Sequence, residues 1–328
     1  MASLFDVVTS TTINGNCAQY TSKLDQLVTD ALKLAKAGVQ ACDDYQKADP
    51  VAERLLDAFF QKPTTADVQS AKSWYEYLEY WLENGGPLTG RTQKPLLFCE
   101  DHSQRVTMST PMRDAQGQIN PNPNGKGSYL IKDDPKMVAW QKSIATSLQV
   151  AVSDVYPYWD KTQLLYWMDE AKGTALQYQC AQNSLGYTNS QASERGAVTL
   201  CPSSFAPGTL GSVAPVPVTL ASYKANNNYP PTPNQPINDI MPAAATFFHE
   251  LLHLFTDMGF VPSVGEEYNA WAIMGTMARA NNQPLFTGSD SISNAESYTF
   301  VAGAAWYAQN MPYNGQVVEY YTGWATVP

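Results

Sequence analysis

Histidine is scarce in this chain, with three among 328 residues. Long apolar runs are missing as well: none approaches the roughly 20 residues that span a bilayer, so no membrane-crossing segment is expected. Basic residues are outnumbered, 20 Lys and Arg against 30 Asp and Glu, for a net charge of −10. A phosphate backbone is bound by clustered Lys and Arg, so nucleic acid is not an expected partner. Cys17, Cys42, Cys99, Cys180 and Cys201 lie far apart, without the CxxC spacing of a structural zinc cluster or a thioredoxin-like motif. Two disulfides with one leftover thiol fit that spacing, and so do five reduced, buried cysteines. No Asn-x-Ser/Thr acceptor occurs, which weakens a secreted reading. The opening MASLFDVVTS has neither the basic region nor the apolar core of a secretory signal, although Met1-Ala2-Ser3 fits a start placed on a chain whose signal has been removed.

What is present is the composition of a folded globular protein, 44% hydrophobic and 12% aromatic, at a length that can bury a core. The acidity fits a solvated surface or a cationic partner. Residues 1–93 read as helical. Tyr20, Leu24, Leu27, Val28, Ala31, Leu32, Leu34 and Ala35 recur at spacings of three and four within 17–41; Asp49-Pro50 suits the cap of a helix through Leu55, Leu56 and Phe59; and SWYEYLEYWLENGG, 73–86, reads as a helix ended by Gly85-Gly86, its aromatic side facing a core. Residues 94–201 begin with strand-like PLLFCE and RVTMST and turn-rich NPNPNGKGS, predicting a hairpin or a long surface loop. Helical periodicity returns over 134–172, with Trp140, Ile144, Leu148 and Val152 on one side. AVTLC, Ala197 to Cys201, is a candidate strand. Residues 202–242 carry nine of the 22 prolines and form a linker or a loop wrapped around a site. The helical part 243–328 completes what reads as one domain over 1–328.

Two of the three histidines fall in FFHELLHLF, Phe247 to Phe255. Pro242 suits the first turn of a helix that begins near 239–241 and runs to Gly259. On such a helix His249 and His253 stand one turn apart on one face, so both imidazoles reach one metal ion. Glu250, adjacent, is placed beside a metal-bound water as the group that takes its proton. Catalytic zinc takes three protein ligands and keeps a position for water. His102, in CEDHSQ, sits among acidic residues that would hold it at the surface, so a downstream carboxylate is the expected third ligand: Asp257, Glu266, Glu267, Asp290 or Glu296. Asp257, one turn beyond His253, is too near to complete a tetrahedron and suits orienting that imidazole. Gly259, Pro262 and Gly265 would turn the chain back to deliver Glu266 or Glu267. Glu296 opens another helix, as the acidic residue of a glutamate-ligand zinc peptidase does.

Beyond the motif, the chain resembles the deuterolysin and lysine-specific metalloendopeptidase group, zinc peptidases known largely from fungi and called aspzincins. AVTLC is similar to the family's edge strand ending in cysteine and FFHELLH to its zinc helix. VGEEYNAW is similar to its Gly-Thr-x-Asp-x-x-Tyr segment and SNAESYTFVAGAAWY to its Asn-Asn-Ala-Asp-x-Tyr helix; the N-terminal helices and LLFCED extend the likeness more weakly. The resemblance implies an α+β, predominantly helical zincin-like metalloprotease fold with a small sheet and long loop insertions. It also implies one catalytic Zn²⁺, a peptide or protein substrate laid along the AVTLC strand, and an extracellular location. The family's third ligand is an aspartate; here the matching positions are Glu266 and Glu267, and Glu267 is preferred because Tyr268 follows it as an aromatic does in the family. Glu296 then packs beside the site or orients a ligand. Tyr268 is the best counterpart of the tyrosine that hydrogen-bonds the tetrahedral intermediate. Cys180–Cys201 is the implied disulfide, with Cys99 joined to Cys17 or Cys42. The likeness reaches fungal surface antigens that keep the HExxH helix, so the expectation is a zinc endopeptidase, with zinc binding without hydrolysis, or a non-peptide substrate, as the alternatives.

Overall fold

The structure, a computed structural model, describes residues 3–13, 15–171, 179–180, 184–189, 195–205, 219–221, 233–256, 260, 262, 264–279 and 283–327. Much of the proline-rich segment, together with Asp257 and Gly259, lies outside these residues.

Three helices follow a short strand β1, Asp6–Val7. The first, α1, covers Thr21–Gln46 and buries Leu24, Leu27, Ala31, Leu34 and Ala35, the stripe that its spacing predicts. Asp49 accepts from the Val51 and Ala52 amides and caps α2, Pro50–Phe59, as expected from Asp-Pro at a helix start. The third, α3, covers Thr65–Asn84, eight residues earlier than its aromatic run alone indicates, because Thr64 and Asp67 form a reciprocal capping box. It ends at Gly85, whose φ of +70° only glycine adopts without strain.

Among the described residues the strands form two small sheets in a mixed α/β architecture. The first has the order β1-β2-β7-β6, where β2 is Leu96–Phe98, β7 Ala197–Leu200 and β6 Gly186–Asn189. β1, β2 and β7 run parallel, with Asp6 opposite Leu96 and Leu96 opposite Ala197; β6 is antiparallel to β7. Every residue of β2 and of β7 is buried, the continuous apolar pattern of strands covered on both faces. AVTLC is therefore an interior strand, and the edge beside it is β6. The second sheet is antiparallel, in the order β3-β4-β5, with β3 at Ser103–Arg105, β4 at Val155–Asp160 and β5 at Leu165–Glu170.

Two expectations give way here. PLLFCE and RVTMST do not pair as a hairpin; β2 and β3 lie in different sheets, and the chain after β3 folds on itself through the bridges Pro111–Leu130, Arg113–Ile119 and Pro121–Ser128. The helix predicted over 134–172 stops early: α4 covers Pro135–Leu148, and VYPYWD and LYWMDE form the β4–β5 hairpin. Trp140, Leu148 and Val152 are exposed, and the interior of this part is made by Ile131, Met137, Ala145, Val155 and Met168. The run of β-branched and aromatic residues from Val155 onward favours a pleated surface over a helix.

The main core gathers side chains from α1, α2, α3, β2 and β7 with two C-terminal helices, α5 at Ala244–Phe255 and α8 at Ala295–Asn310. Between these two lie short α6, Ala270–Ile273, and α7, Gly288–Ile292. Disulfides join Cys17 to Cys99 and Cys180 to Cys201, leaving Cys42 as a buried free thiol whose pKa burial pushes up to about 12. Such bonds fit an oxidising compartment. Among the described residues no helix is long and apolar enough to cross a membrane.

Candidate metal centre

The HELLH helix α5 is shorter than expected at both ends, starting two residues after Pro242. Phe247, Phe248, Leu251, Leu252 and Leu254 seat it in the core, and His249, Glu250 and His253 are themselves 5%, 6% and 5% exposed. Two imidazoles and a carboxylate in so apolar a helix need partners, because an unpaired buried polar group costs roughly 1–3 kcal/mol and a charge more.

The partners come from two later segments. The histidine Nε2 atoms face each other at 3.1 Å. Glu266 Oε1 lies 2.6 Å from His253 Nε2 and 3.9 Å from His249 Nε2. These three donor atoms lie within 4.8 Å of one another and could hold a metal ion. Glu296, in the first turn of α8, places Oε2 2.8 Å from His249 Nδ1. With the proton on Nδ1 shared with that carboxylate, the Nε2 lone pair is left for the centre.

Glu267 does not converge. Its Oε1 accepts from the Tyr268 and Asn269 amides, and its Oε2 accepts from Arg279 Nε at 3.0 Å. In an extended stretch adjacent side chains point to opposite sides, so the turn that sends Glu266 inward sends Glu267 toward Arg279. The preference for Glu267 as third ligand is thus replaced by Glu266. Asp290 forms a capping box with Thr287 at the start of α7. His102 is not held at the surface: it is buried, stacked on Phe98 at 3.7 Å between centroids, with Nε2 3.2 Å from Asp160 Oδ2, and burial lowers its pKa.

The donor set could hold a metal ion. Two imidazoles and one carboxylate form a known catalytic zinc set, and ligands at about 2.0–2.1 Å in a tetrahedron stand roughly 3.3 Å apart, close to the observed Nε2 separation. Although Glu266 Oε1 is so near His253 Nε2, it lacks a properly oriented hydrogen-bond donor. In the metal-free state, burial presses the His249 imidazole down, but Glu296, Glu266 and Glu250 outweigh it and lift the pKa to about 9. Burial likewise raises Glu266, and the two imidazoles overcome this, taking it to about 2.

Glu250 stands beside the same cluster, within reach of the charges of His249, His253 and Glu266. Thr188, on the edge strand β6, donates its hydroxyl to Glu250 Oε2 at 2.8 Å, and burial raises the carboxyl's pKa. Gly186, two residues earlier, leaves room for this carboxylate: a Cβ there would stand 3.1 Å from Glu250 Oε1 and 3.0 Å from the Thr199 carbonyl. Tyr268 stacks on His249 with centroids 5.6 Å apart and donates its hydroxyl to Glu266 Oε2. Tyr268 as a whole is exposed, but burial around its hydroxyl and then the Glu266 carboxylate raise its pKa, so it stays protonated at neutral pH.

The sequence pattern did not single out Thr188, Gly186, Arg279 or Asn294. Arg279 carries one visible signal: no other Lys or Arg follows Lys224. Compared with known proteins, the chain matches no family model, no curated protein and no solved structure.

Proposed function

We infer that the protein is a zinc-dependent metalloendopeptidase of zincin-like fold acting outside the cell. The observation that carries this reading is the convergence of His249, His253 and Glu266 on one point, with Glu250 beside them and a strand edge next to Glu250. Zinc held by those three side chains would polarise a scissile carbonyl and lower the pKa of a bound water. Glu250 accepts the water's proton and later returns it to the leaving amine. Its raised pKa suits that exchange, and the Thr188 hydroxyl fixes the carboxylate's direction. Glu296 holds His249 in the tautomer that frees Nε2. Tyr268, protonated at neutral pH, is the available donor to a developing oxyanion. An extended peptide would pair with β6, the outer strand of this sheet among the described residues, and not with the interior AVTLC strand.

A second reading, zinc binding without hydrolysis, is favoured by one observation: the Tyr268 hydroxyl is engaged with the ligand Glu266. Digestion of a complex peptide mixture by zinc-loaded wild type beside Glu250→Gln, read by mass spectrometry, separates the two. Cleavage by wild type alone is the expected result. Cleavage by both variants removes Glu250 from the mechanism, and cleavage by neither, with zinc bound, favours the second reading.

A further inference from the structure

The segment that delivers Glu266 has no regular secondary structure, yet a ligand must be held within about half an ångström of its productive position. Arg279 is the group that meets this demand. Its Nη1 donates to the Val264 carbonyl at 2.8 Å, and its Nη2 donates to the Gly265 and Glu266 carbonyls at 3.1 Å each. Its Nε donates to Glu267 Oε2 at 3.0 Å. One planar guanidinium thus joins three consecutive carbonyls and the next side chain of a single turn, a pattern that the spherical ammonium of lysine cannot reproduce.

The clamp is buried. Arg279 is 8% exposed, with Phe286 under its guanidinium at 5.2 Å. Glu267 passes the restraint forward, since its Oε1 accepts from the amides of Tyr268 and Asn269. Asn294, fully buried, accepts from the Glu267 amide at 3.3 Å and donates to the Glu267 carbonyl at 3.0 Å. Asn294 directly precedes α8, the helix that carries Glu296. The turn with the third ligand and the helix with the partner of His249 are therefore tied through one residue. A buried cation is costly unless fully paired, and every described hydrogen bond of Arg279 ends on the turn that presents Glu266.

We propose that Arg279 and Glu267 form a clamp that positions Glu266 as the third metal ligand and thereby sets metal affinity. Both are positioning residues and neither touches the metal. This inference rests on the metal reading of the site, and the same experiment tests the two separately.

Co²⁺ titration of the full chain, followed by visible absorption, reads both affinity and ligand geometry, because four-coordinate Co²⁺ absorbs far more strongly than six-coordinate. Wild type is expected to bind one Co²⁺ with an intense band. Arg279→Met and Glu267→Gln are expected to bind about 10- to 100-fold more weakly, the range for loss of a group that orients a ligand, with the altered spectrum of Glu266→Ala. Arg279→Lys should recover only part of the affinity. A folded Arg279→Met or Glu267→Gln with wild-type affinity and spectrum overturns the clamp while the metal reading stands. Wild type that takes up neither Co²⁺ nor Zn²⁺ overturns the metal reading and the clamp with it. Should Arg279→Met not fold, Glu267→Gln decides, since it keeps the side chain's size and its Oε1 acceptor.

Discussion

Adjacent glutamates with opposite duties define the site at the scale of single residues. Glu266 and Glu267 are the same residue type one peptide apart, and what separates them is the turn's direction and Arg279 on its far side. The HExxH spacing was legible because a helix puts residues four apart on one face whatever surrounds them. The choice between the two glutamates was not, because it depends on a cation twelve residues away. The same charges make metal binding compete with protons. His249, raised to about 9 without metal, must lose its Nε2 proton to bind while keeping the Nδ1 proton it shares with Glu296, so apparent zinc affinity should fall about tenfold for each pH unit below that value. Calorimetry in buffers of different ionisation enthalpy should show the accompanying proton release. In the metal-free protein the sign is worked group by group. His249, raised from 6.5 to about 9, stabilises fully below 6.5 and loses this as pH rises through 9; Glu266, lowered from 4.5 to about 2, stabilises above 4.5 and loses this as pH falls through 2. The Tm difference between chelated wild type and chelated Glu266→Gln should therefore be largest between about pH 4.5 and 6.5.

Among the elements, β6 matters most and was least visible. Gly-Tyr-Thr-Asn has no apolar alternation, because one residue leaves space for Glu250 and another hydrogen-bonds to it. A four-residue strand that serves a site cannot also carry the pattern of a strand that serves a core. Periodicity misled in the opposite sense over 134–172, where Trp140, Leu148 and Val152 fell on an exposed face and the burial came from Met137 and Ala145 on another side of α4 together with Val155 and Met168 of the hairpin. α2 and its Asp-Pro cap were legible because capping is local. Gly186 gives the element-level prediction. Gly186→Val would press on Glu250 and on the Thr199 carbonyl, so peptide cleavage should drop at least tenfold while zinc stoichiometry, measured by atomic absorption, stays at the wild-type value. Lost zinc together with lost activity would show that β6 supports the helix and not the carboxylate.

At the scale of the whole molecule, covalent ties and the C-terminal segment close what the sheets leave open. The Cys17–Cys99 bond spans 82 residues and joins the segment after β1 to the end of β2. A loop of that length is worth roughly 4 kcal/mol in the chain-entropy account. Urea unfolding of Cys17→Ser/Cys99→Ser should show a loss of about 2–4 kcal/mol with the metal site intact. The segment Glu319–Thr326 pairs with residues 234–237 ahead of α5 through Asn234, Gln235 and Ile237, and Glu319 pairs with Arg54 of α2. The last residues thus brace the entry to the helix that holds the histidines.

The parallel pairing of β1, β2 and β7 also sets an order of events. β1 waits for a partner on the far side of α1, α2 and α3, and β2 waits for β7 on the far side of the second sheet. Contacts of such long sequence separation form slowly. Thr188, His249, Glu266, Arg279, Asn294 and Glu296 come from segments spread along the last half of the chain. During synthesis the helical N-terminal part emerges first, while its sheet lacks the strand on which Thr188 depends. The three candidate ligands precede α8 in the chain, and Glu296, the partner of His249, arrives with that helix. A metal ion held there would therefore be taken up by a framework drawn from separate segments, after those segments have packed together.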